Sequence, residues 1–590
     1  MRVLLIRPED GLPAGPWAAS RWDRVIDLGR AGAESYERAA DRLGTGVALL
    51  DDLRDGFKEI YRVRELLGIG LGRLKDRFGL DWWELTAILV HLQLETVILL
   101  QKFADTVDAR DEVHVSGPGF HAEALRLMLG SRVRVFPPQG GRGKRRAGHY
   151  FRVLKKFPAG QLLEIFWDKY DSGYQLRGLM SSRRKPQDAP LVLLPTAYGN
   201  VSRTGMAYAA AVPEARFLLV ATRRSGWVEN PPANVSTAWL RSYASVRVAA
   251  REAEYKDLMA RWELLRKEIE GVPEFRVLSR LGCFSSFSDR FGRGLEIRDA
   301  WRNVLDTEPI KAVICADDSN PYTHIPLLLA RERRLPTISC HHGALDGRYM
   351  FKRCHADVIL AKGRMEQDYL ESVCGVPASR VEVGAPTFIK ERKPETSQKK
   401  KPFIVLFSEP YEAMGGRSAD VYQDILPGLA DLALSEGRQL VVKLHPAESA
   451  SERSNIIRQT LRPDQRRVVR VVSGPLQSDL LDNTWFGITI LSTVTVECAL
   501  RGIPCFLCKW LESSPYGYVD QFTRFGIGIR LDQPGEIKQI PPMLQGRKPD
   551  AATAANCWSP IENERLRVLL GIGRREQTPL PSRADTLGKS

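Results

Sequence analysis

Short apolar runs recur along the chain, and amphipathic stretches separate them. Arg2–Ile6, Arg24–Leu28, Val47–Leu50, Glu112–Ser116, Val133–Phe136, Leu191–Leu194 and Phe217–Ala221 read as strands. Lys311–Cys315, Pro336–Cys340 and Val358–Leu360 continue the series. Helical periodicity fills stretches between them, as in Ala122–Leu129 and Tyr322–Glu332. Strands alternating with helices predict parallel sheets covered by helices. Two long stretches rich in Arg, Glu and Leu, 53–109 and 238–269, interrupt the alternation and predict helical insertions.

The segment 391–402 (Glu391 to Pro402) is charged, bounded by proline and without apolar period, which predicts a linker. The alternation restarts at Phe403-Ile404-Val405-Leu406-Phe407. It continues through Leu440–Leu444, Val468–Val472, Gly487–Leu491 and Pro504–Leu507. The expected plan is an N-terminal α/β domain over 1–390 and a C-terminal α/β domain over 403–573, of ordinary domain size. A disordered tail is expected over 574–590. There is no internal repeat at solenoid spacing.

Charge changes the list of partners. The net charge is +15 and the pI about 9.4. That balance suits nucleic acid, an anionic membrane face or an acidic substrate. No paired-cysteine finger, aromatic RNA-binding motif or basic zipper is present, so nucleic acid is not expected as a partner. Basic loops at 142–156 and 183–185 suggest solvated loops, or peripheral contact with an anionic inner membrane or an acidic glycan. The short strand at Met1–Ile6 ends at Pro8 and does not resemble a signal peptide. Leu85 to Leu100 is interrupted by His91, Gln93 and Glu95, and reads as a core helix. A cytoplasmic protein, at most at the inner face of the membrane, is expected. The nine cysteines are scattered, and the single CxxC at Cys505–Cys508 lies inside an apolar run that reads as core.

The candidate chemistry lies at strand ends. His445 is the only histidine after His355, and it follows Lys443-Leu444 and precedes Pro446. Proline fixes its own φ and lacks an N–H, so the chain leaves the strand here. Ligands of open α/β sheets bind at such carboxyl ends. His445 could hydrogen-bond or protonate a leaving phosphate; Lys443, counted beside it as phosphate-binding, could reach the cleft rim or pair with an acid. Ser492-Thr493 opens an apolar helix containing Glu497. The hydroxyls suit a helix cap or a phosphate. An acid in an apolar helix needs a donor, and a ribose diol is one. Ser408, with Arg417 beyond a Gly pair, suits phosphate contact or a plain loop. In the N-terminal half, Asp317-Asp318 and His341-His342 follow strands and could take a proton from an attacking hydroxyl, or cap a helix. A zinc reading of Cys340, His341, His342, Cys354 and His355 is set aside because Cys354-His355 opens the next segment.

These motifs, in this order, resemble those of GT-B-fold glycosyltransferases of bacterial surface polysaccharides. The likeness is to capsule synthesis transferases, polysialyltransferase-like enzymes and teichoic acid glycerophosphotransferases. Those families carry a His-Pro motif, matched by His445-Pro446, and a Ser-Ser or Ser-Thr motif, matched by Ser492-Thr493. His341-His342-Gly343 through Val383-Gly384-Ala385-Pro386 looks like the end of their N-terminal domain. The resemblance spans roughly Lys311 to Trp510. It implies an α/β fold of two Rossmann-like, doubly wound domains (GT-B type) facing across a cleft. It also implies transfer of a sugar, or a sugar-like phosphate unit, from a nucleotide-activated donor to a hydroxyl of a glycan or lipid-linked acceptor. No metal or cofactor is implied. Asp317, Asp318 or His342 would be the base. His445, Ser492, Thr493 and Arg417 would stabilise the leaving phosphate. A nucleotide-sugar 2-epimerase of the same fold and a non-catalytic synthesis component are the alternatives.

Overall fold

A computed structural model of the chain describes residues 1–572 except 9, 11, 30–32, 138–189, 245–247, 319–320, 354, 387–400, 412–416, 447, 513–514 and 546–550. The basic loops 142–156 and 183–185, most of the linker and the tail lie outside the described residues.

Three parallel sheets organise the chain. The first holds β1 (Arg2–Ile6), β2 (Arg24–Asp27), β3 (Val47–Leu49), β4 (Glu112–Val115) and β5 (Val133–Val135), in the order β3-β2-β1-β4-β5. The second holds β6 (Leu191–Thr196), β7 (Arg216–Ala221), β8 (Val235–Trp239), β9 (Ile310–Cys315), β10 (Thr337–Cys340), β11 (Val358–Ala361) and β12 (Val381–Val383). Its order is β12-β11-β10-β9-β6-β7-β8. The third holds β13 (Phe403–Phe407), β14 (Gln439–Lys443), β15 (Val469–Val472), β16 (Thr484–Thr489), β17 (Cys505–Cys508) and β18 (Ile529–Leu531), in the order β15-β14-β13-β16-β17-β18.

In each sheet the first strand lies beside the fourth. The strand order reverses there, and that reversal is the switch point at which doubly wound sheets open a crevice at their carboxyl ends. Central strands are buried along nearly their whole length, for example Ile404 to Phe407 and Leu440 to Lys443. Burial on both faces explains why they read as unbroken apolar runs.

The second and third sheets are the two Rossmann-like domains facing across a cleft. Residues 1–390, expected as one domain, carry two separate sheets: β1 to β5 pair with one another and not with β6 to β12. The insertion expected over 53–109 is observed as helices Lys58–Gly68, Trp82–Ala87 and His91–Asp105. The segment Trp82–Asp105 is long and apolar enough to cross a membrane, yet most of its apolar window is buried in the fold. The insertion expected over 238–269 begins later, with the helix Val248–Ile269, because Val235–Trp239 is an edge strand. That strand, Val381–Val383 and Ile529–Leu531 escaped the sequence pattern. Each is short, lies at a sheet edge and has polar positions facing outward.

The two cleft domains share a core. Tyr516, Val519, Phe522 and Ile527 pack in one apolar cluster with Tyr349, Met365 and Tyr369. The Tyr369 hydroxyl donates to the Tyr516 carbonyl (3.0 Å), the Gly347 N–H donates to the Tyr518 hydroxyl (2.8 Å), and Gln521 donates to the Met365 carbonyl (2.8 Å). The chain then crosses back. Ile561, Leu566 and Leu570 pack against the second sheet, and Ala385 bridges Pro560.

Candidate functional site

The switch point of the second sheet brings together three polar side chains from three strand ends. Tyr198 follows β6, Asp317 follows β9 and His342 follows β10. The Tyr198 hydroxyl donates to the Asp317 carboxylate (2.7 Å) and lies 3.2 Å from the His342 ring nitrogens, edge-on to that ring. Burial lowers the His342 pKa and the Asp317 charge opposes it, so the imidazole is held neutral at neutral pH. Burial and the Asp317 charge push the Tyr198 phenol well above its ordinary value, so it stays a donor.

Around this trio, Asp346 is buried and accepts from Arg348 (2.9 Å), with His341 3.7 Å away. Burial pushes the Asp346 carboxyl up, but Arg348, His341 and Lys352 hold it well below the usual range. Asp318 is turned elsewhere. Its carboxylate pairs with buried Lys352 (2.6 Å), and the nearby charges of Lys352 and His324 outweigh burial to keep its pKa low. Of the expected bases, Asp317 and His342 therefore share one place, and Asp318 serves an internal ion pair.

On the opposite rim, Ser492 and Thr493 precede the short helix Val494–Leu500. Thr493 is exposed and Ser492 half-buried; the Val494 N–H donates to the Ser492 hydroxyl at 3.4 Å. Glu497 lies inside that helix. Burial raises its pKa, against the charges of Arg203 from the second-sheet side and Arg501. The two rims touch: a side-chain carbon placed on Gly343 would lie 3.5 Å from the Thr493 methyl. The His341-His342-Gly343 turn therefore faces the Ser492-Thr493 turn across the cleft.

His445 and Pro446 are exposed at the end of β14, two strand steps from Ser492, or ~10 Å at the sheet spacing. Burial of part of the ring lowers the His445 pKa. Its backbone N–H donates to Glu448 (2.7 Å). Glu448 also accepts from Ser408 (2.9 Å) and Arg453 (2.7 Å). Ser408 therefore shapes the histidine turn, and its hydroxyl also meets that of Tyr422 (2.9 Å). Lys443 donates to the Leu444 and Gly474 carbonyls, both at 2.7 Å, and ties β14 to the turn after β15. Arg417 reaches the first sheet, where it pairs with buried Asp27 and donates to the Asp10 carbonyl (3.0 Å). Thus Lys443 and Arg417, expected to bind phosphate, hold the frame instead. Lys443 is held by two backbone carbonyls and Arg417 by the carboxylates of Asp27 and Asp420.

Sequence reasoning missed Tyr198, Glu409 and Glu448. Glu409 is buried and accepts from Thr489 (2.7 Å) and from the Ile490 and Leu491 N–H groups (3.0 Å each), fixing the turn that presents Ser492. A carboxylate two residues past an apolar strand was its only signal. Among the described residues, no group of three His, Cys, Asp or Glu side chains is placed to hold a metal.

Strand order, switch points and facing carboxyl rims define a GT-B-type α/β protein. No family model and no curated protein matches the sequence. Solved structures with the same broad plan include a Staphylococcus aureus MnaA–UDP co-structure, at 10% identity and a TM-score of 0.40, over 66% of this chain and 98% of that one. Acinetobacter baumannii MurG is 12% identical with a TM-score of 0.38, over 65% and 99%. A Methanocaldococcus jannaschii UDP-GlcNAc 2-epimerase in complex with UDP-GlcNAc and UDP is 12% identical with a TM-score of 0.40, over 65% and 100%.

Proposed function

We propose that the protein transfers a sugar, or a sugar-like phosphate unit, from a nucleotide-activated donor to a hydroxyl of a glycan or lipid-linked acceptor, in bacterial surface polysaccharide synthesis at the inner face of the cytoplasmic membrane. The observation that carries this reading is the Tyr198–Asp317–His342 trio at a switch point, opposite the Ser492-Thr493 turn. Neutral His342 takes the proton as the acceptor oxygen bonds to the donor's anomeric carbon. The bond from that carbon to the nucleotide phosphate breaks, and its electron pair leaves with the phosphate. Asp317 stabilises the imidazolium that forms, and Tyr198 holds the carboxylate in place. The Ser492 and Thr493 hydroxyls and His445 receive the charge growing on the leaving phosphate. Glu497 accepts from the ribose. The groups named are side chains alone, and no metal or cofactor takes part in these steps.

The test is nucleotide release from a panel of CMP-, UDP-, GDP- and CDP-linked donors, with and without glycan acceptor. Acceptor-dependent release that His342→Ala abolishes supports the reading. Release indifferent to acceptor and to both His342→Ala and His445→Ala would defeat it. Interconversion of the free donor would mark an epimerase.

A further inference from the structure

Arg348 stands on the same rim as the trio, six residues after His342, and the transfer chemistry leaves it unused. Its guanidinium is held on one edge only. Nε donates to one oxygen of Asp346 (2.9 Å) and Nη2 to the other (3.2 Å). Among the described residues, Nη1 has no hydrogen-bond partner. The Asp346 side chain is 4% exposed and that of Arg348 40%, so the bonded edge faces inward and the exposed part of the fork is the edge at Nη1. Lys352 and Lys362, two further cations near the site, are buried and paired with Asp318 (2.6 Å) and Glu366 (3.2 Å). Those pairs close on themselves, and the Arg348 pair stays open on one side.

The turn that carries Arg348 is clamped from both sides. Asp346 also accepts from the Arg348 backbone N–H (3.0 Å), so carboxylate and guanidinium belong to one short turn. A side-chain carbon on Gly347 would lie 2.5 Å from the Tyr516 ring and 3.1 Å from the Tyr369 hydroxyl, and the Gly347 N–H donates to the Tyr518 hydroxyl (2.8 Å). Tyr516 and Tyr518 follow β17, so Arg348 sits where the second-sheet and third-sheet domains meet. Asp346 links it to the base. His341 lies 3.7 Å from that carboxylate, and its ring centroid is 4.6 Å from that of His342. The Arg348 charge acts on Asp317, Tyr198 and His342 alike.

We propose that Arg348 binds an anionic group of the acceptor, a carboxylate or a phosphate, while the attacking hydroxyl beside that group sits at His342. This rests on the transferase reading and names its acceptor class. A guanidinium is a planar fork of N–H donors. Asp346 takes Nε and one N–H of Nη2, which leaves the Nη1–Nη2 edge, whose spacing matches the two oxygens of a carboxylate or phosphate. A buried partner already orients the fork, so little side-chain freedom is lost on binding. The anion belongs to the acceptor because Arg348 shares a rim with His342. The groups assigned to the leaving phosphate, Ser492, Thr493 and His445, stand on the rim of the third sheet. The net charge of +15 suits an acidic acceptor.

The test uses the full chain on an array of defined oligosaccharides in three matched arms, neutral, uronic-acid-terminated and phosphate-terminated, with no donor present. The expected result is retention of one anionic arm and not of its neutral counterpart, and the arm retained names the source of the charge. Affinity should fall tenfold or more in Arg348→Met, and Arg348→Lys, which keeps the charge without the fork, should recover part of it. Circular dichroism and the Arg348→Lys variant guard against a folding defect. Equal retention of neutral and charged arms, retention unchanged in Arg348→Met, or no retained oligosaccharide overturns the assignment. Nucleotide release with the donor panel is measured separately. In Arg348→Lys the acceptor KM should rise while the donor KM holds; a rise in donor KM alone would put Arg348 on the donor and overturn the assignment. Absence of acceptor-dependent release by the wild-type chain defeats the transferase reading even where the array result stands. Its presence with a blank array defeats only the role of Arg348.

Discussion

At the switch point of the first sheet, Arg7 follows β1 and Ser116 follows β4. The guanidinium pairs with Asp10 through two bonds of 2.8 and 2.9 Å and also reaches the Pro118 carbonyl, while the Ser116 hydroxyl donates to Asp10. A side-chain carbon on Gly117 would collide with that guanidinium. At the same topological position in the second sheet stand Tyr198 and Asp317, with His342 half-buried beside them. Both sheets offer a crevice between their first and fourth strands. In the first, the crevice is filled by an ion pair whose members satisfy one another. In the second, a half-buried neutral imidazole stands beside a buried carboxylate, next to a turn that faces an opposing rim. Strand order makes a place for a ligand, and the side chains after the first and fourth strands decide whether that place is plugged.

Exchanging the two kinds of loss would break the comparison. His342→Ala should cut turnover about 10²- to 10⁴-fold, the range for a lost general base, with little change in unfolding free energy; steady-state kinetics and chemical denaturation together read this. Arg7→Met should do the reverse. It leaves the buried Asp10 carboxylate without its partner, so stability should fall by about 3–5 kcal/mol. Turnover per folded molecule should hold. If Arg7→Met instead abolished turnover in folded protein, the first crevice would not be a plug.

Smaller effects sharpen the roles. Lys443→Met leaves two backbone carbonyls unpaired and should cost about 1–3 kcal/mol of stability. Turnover should stay within about twofold, and a large rise in donor KM would return this lysine to the phosphate. Tyr198→Phe removes one hydrogen bond from Asp317, worth about 0.5–1.5 kcal/mol, so a loss of up to about tenfold in kcat is expected. The pH profile gives the finest reading. Burial lowers the His342 pKa, and the Asp317 charge raises it. The acid limb of kcat/KM should therefore lie below the ordinary histidine value of about 6.5. Asp317→Asn removes the charge that raises it, so the limb should move to lower pH; a move upward would separate His342 from Asp317.

The strands that carry the site were legible because they are central. Ile404–Phe407 and Leu440–Val442 are buried on both faces, and solvent exclusion leaves only apolar residues there. The motifs at their ends were legible too, since a histidine before proline or paired hydroxyls before an apolar helix breaks that pattern. Which partner each motif residue takes was not legible. Asp317 and Asp318 are neighbours, yet one meets Tyr198, 119 positions earlier, and the other meets Lys352, 34 positions later. Arg417 lies 390 positions from Asp27, which engages it.

The sequence by itself determined the class of element, the alternation that makes parallel sheets, and the strand ends at which chemistry could occur. These follow from local periodicity and from backbone constraints acting over a few residues. Only the tertiary structure decided that there are three sheets, that Lys443 and Arg417 serve the frame, and that Tyr198, Asp317 and His342 meet. Ion pairs and hydrogen bonds act over a few ångströms of space, and the chain reaches those distances only after segments hundreds of residues apart have packed.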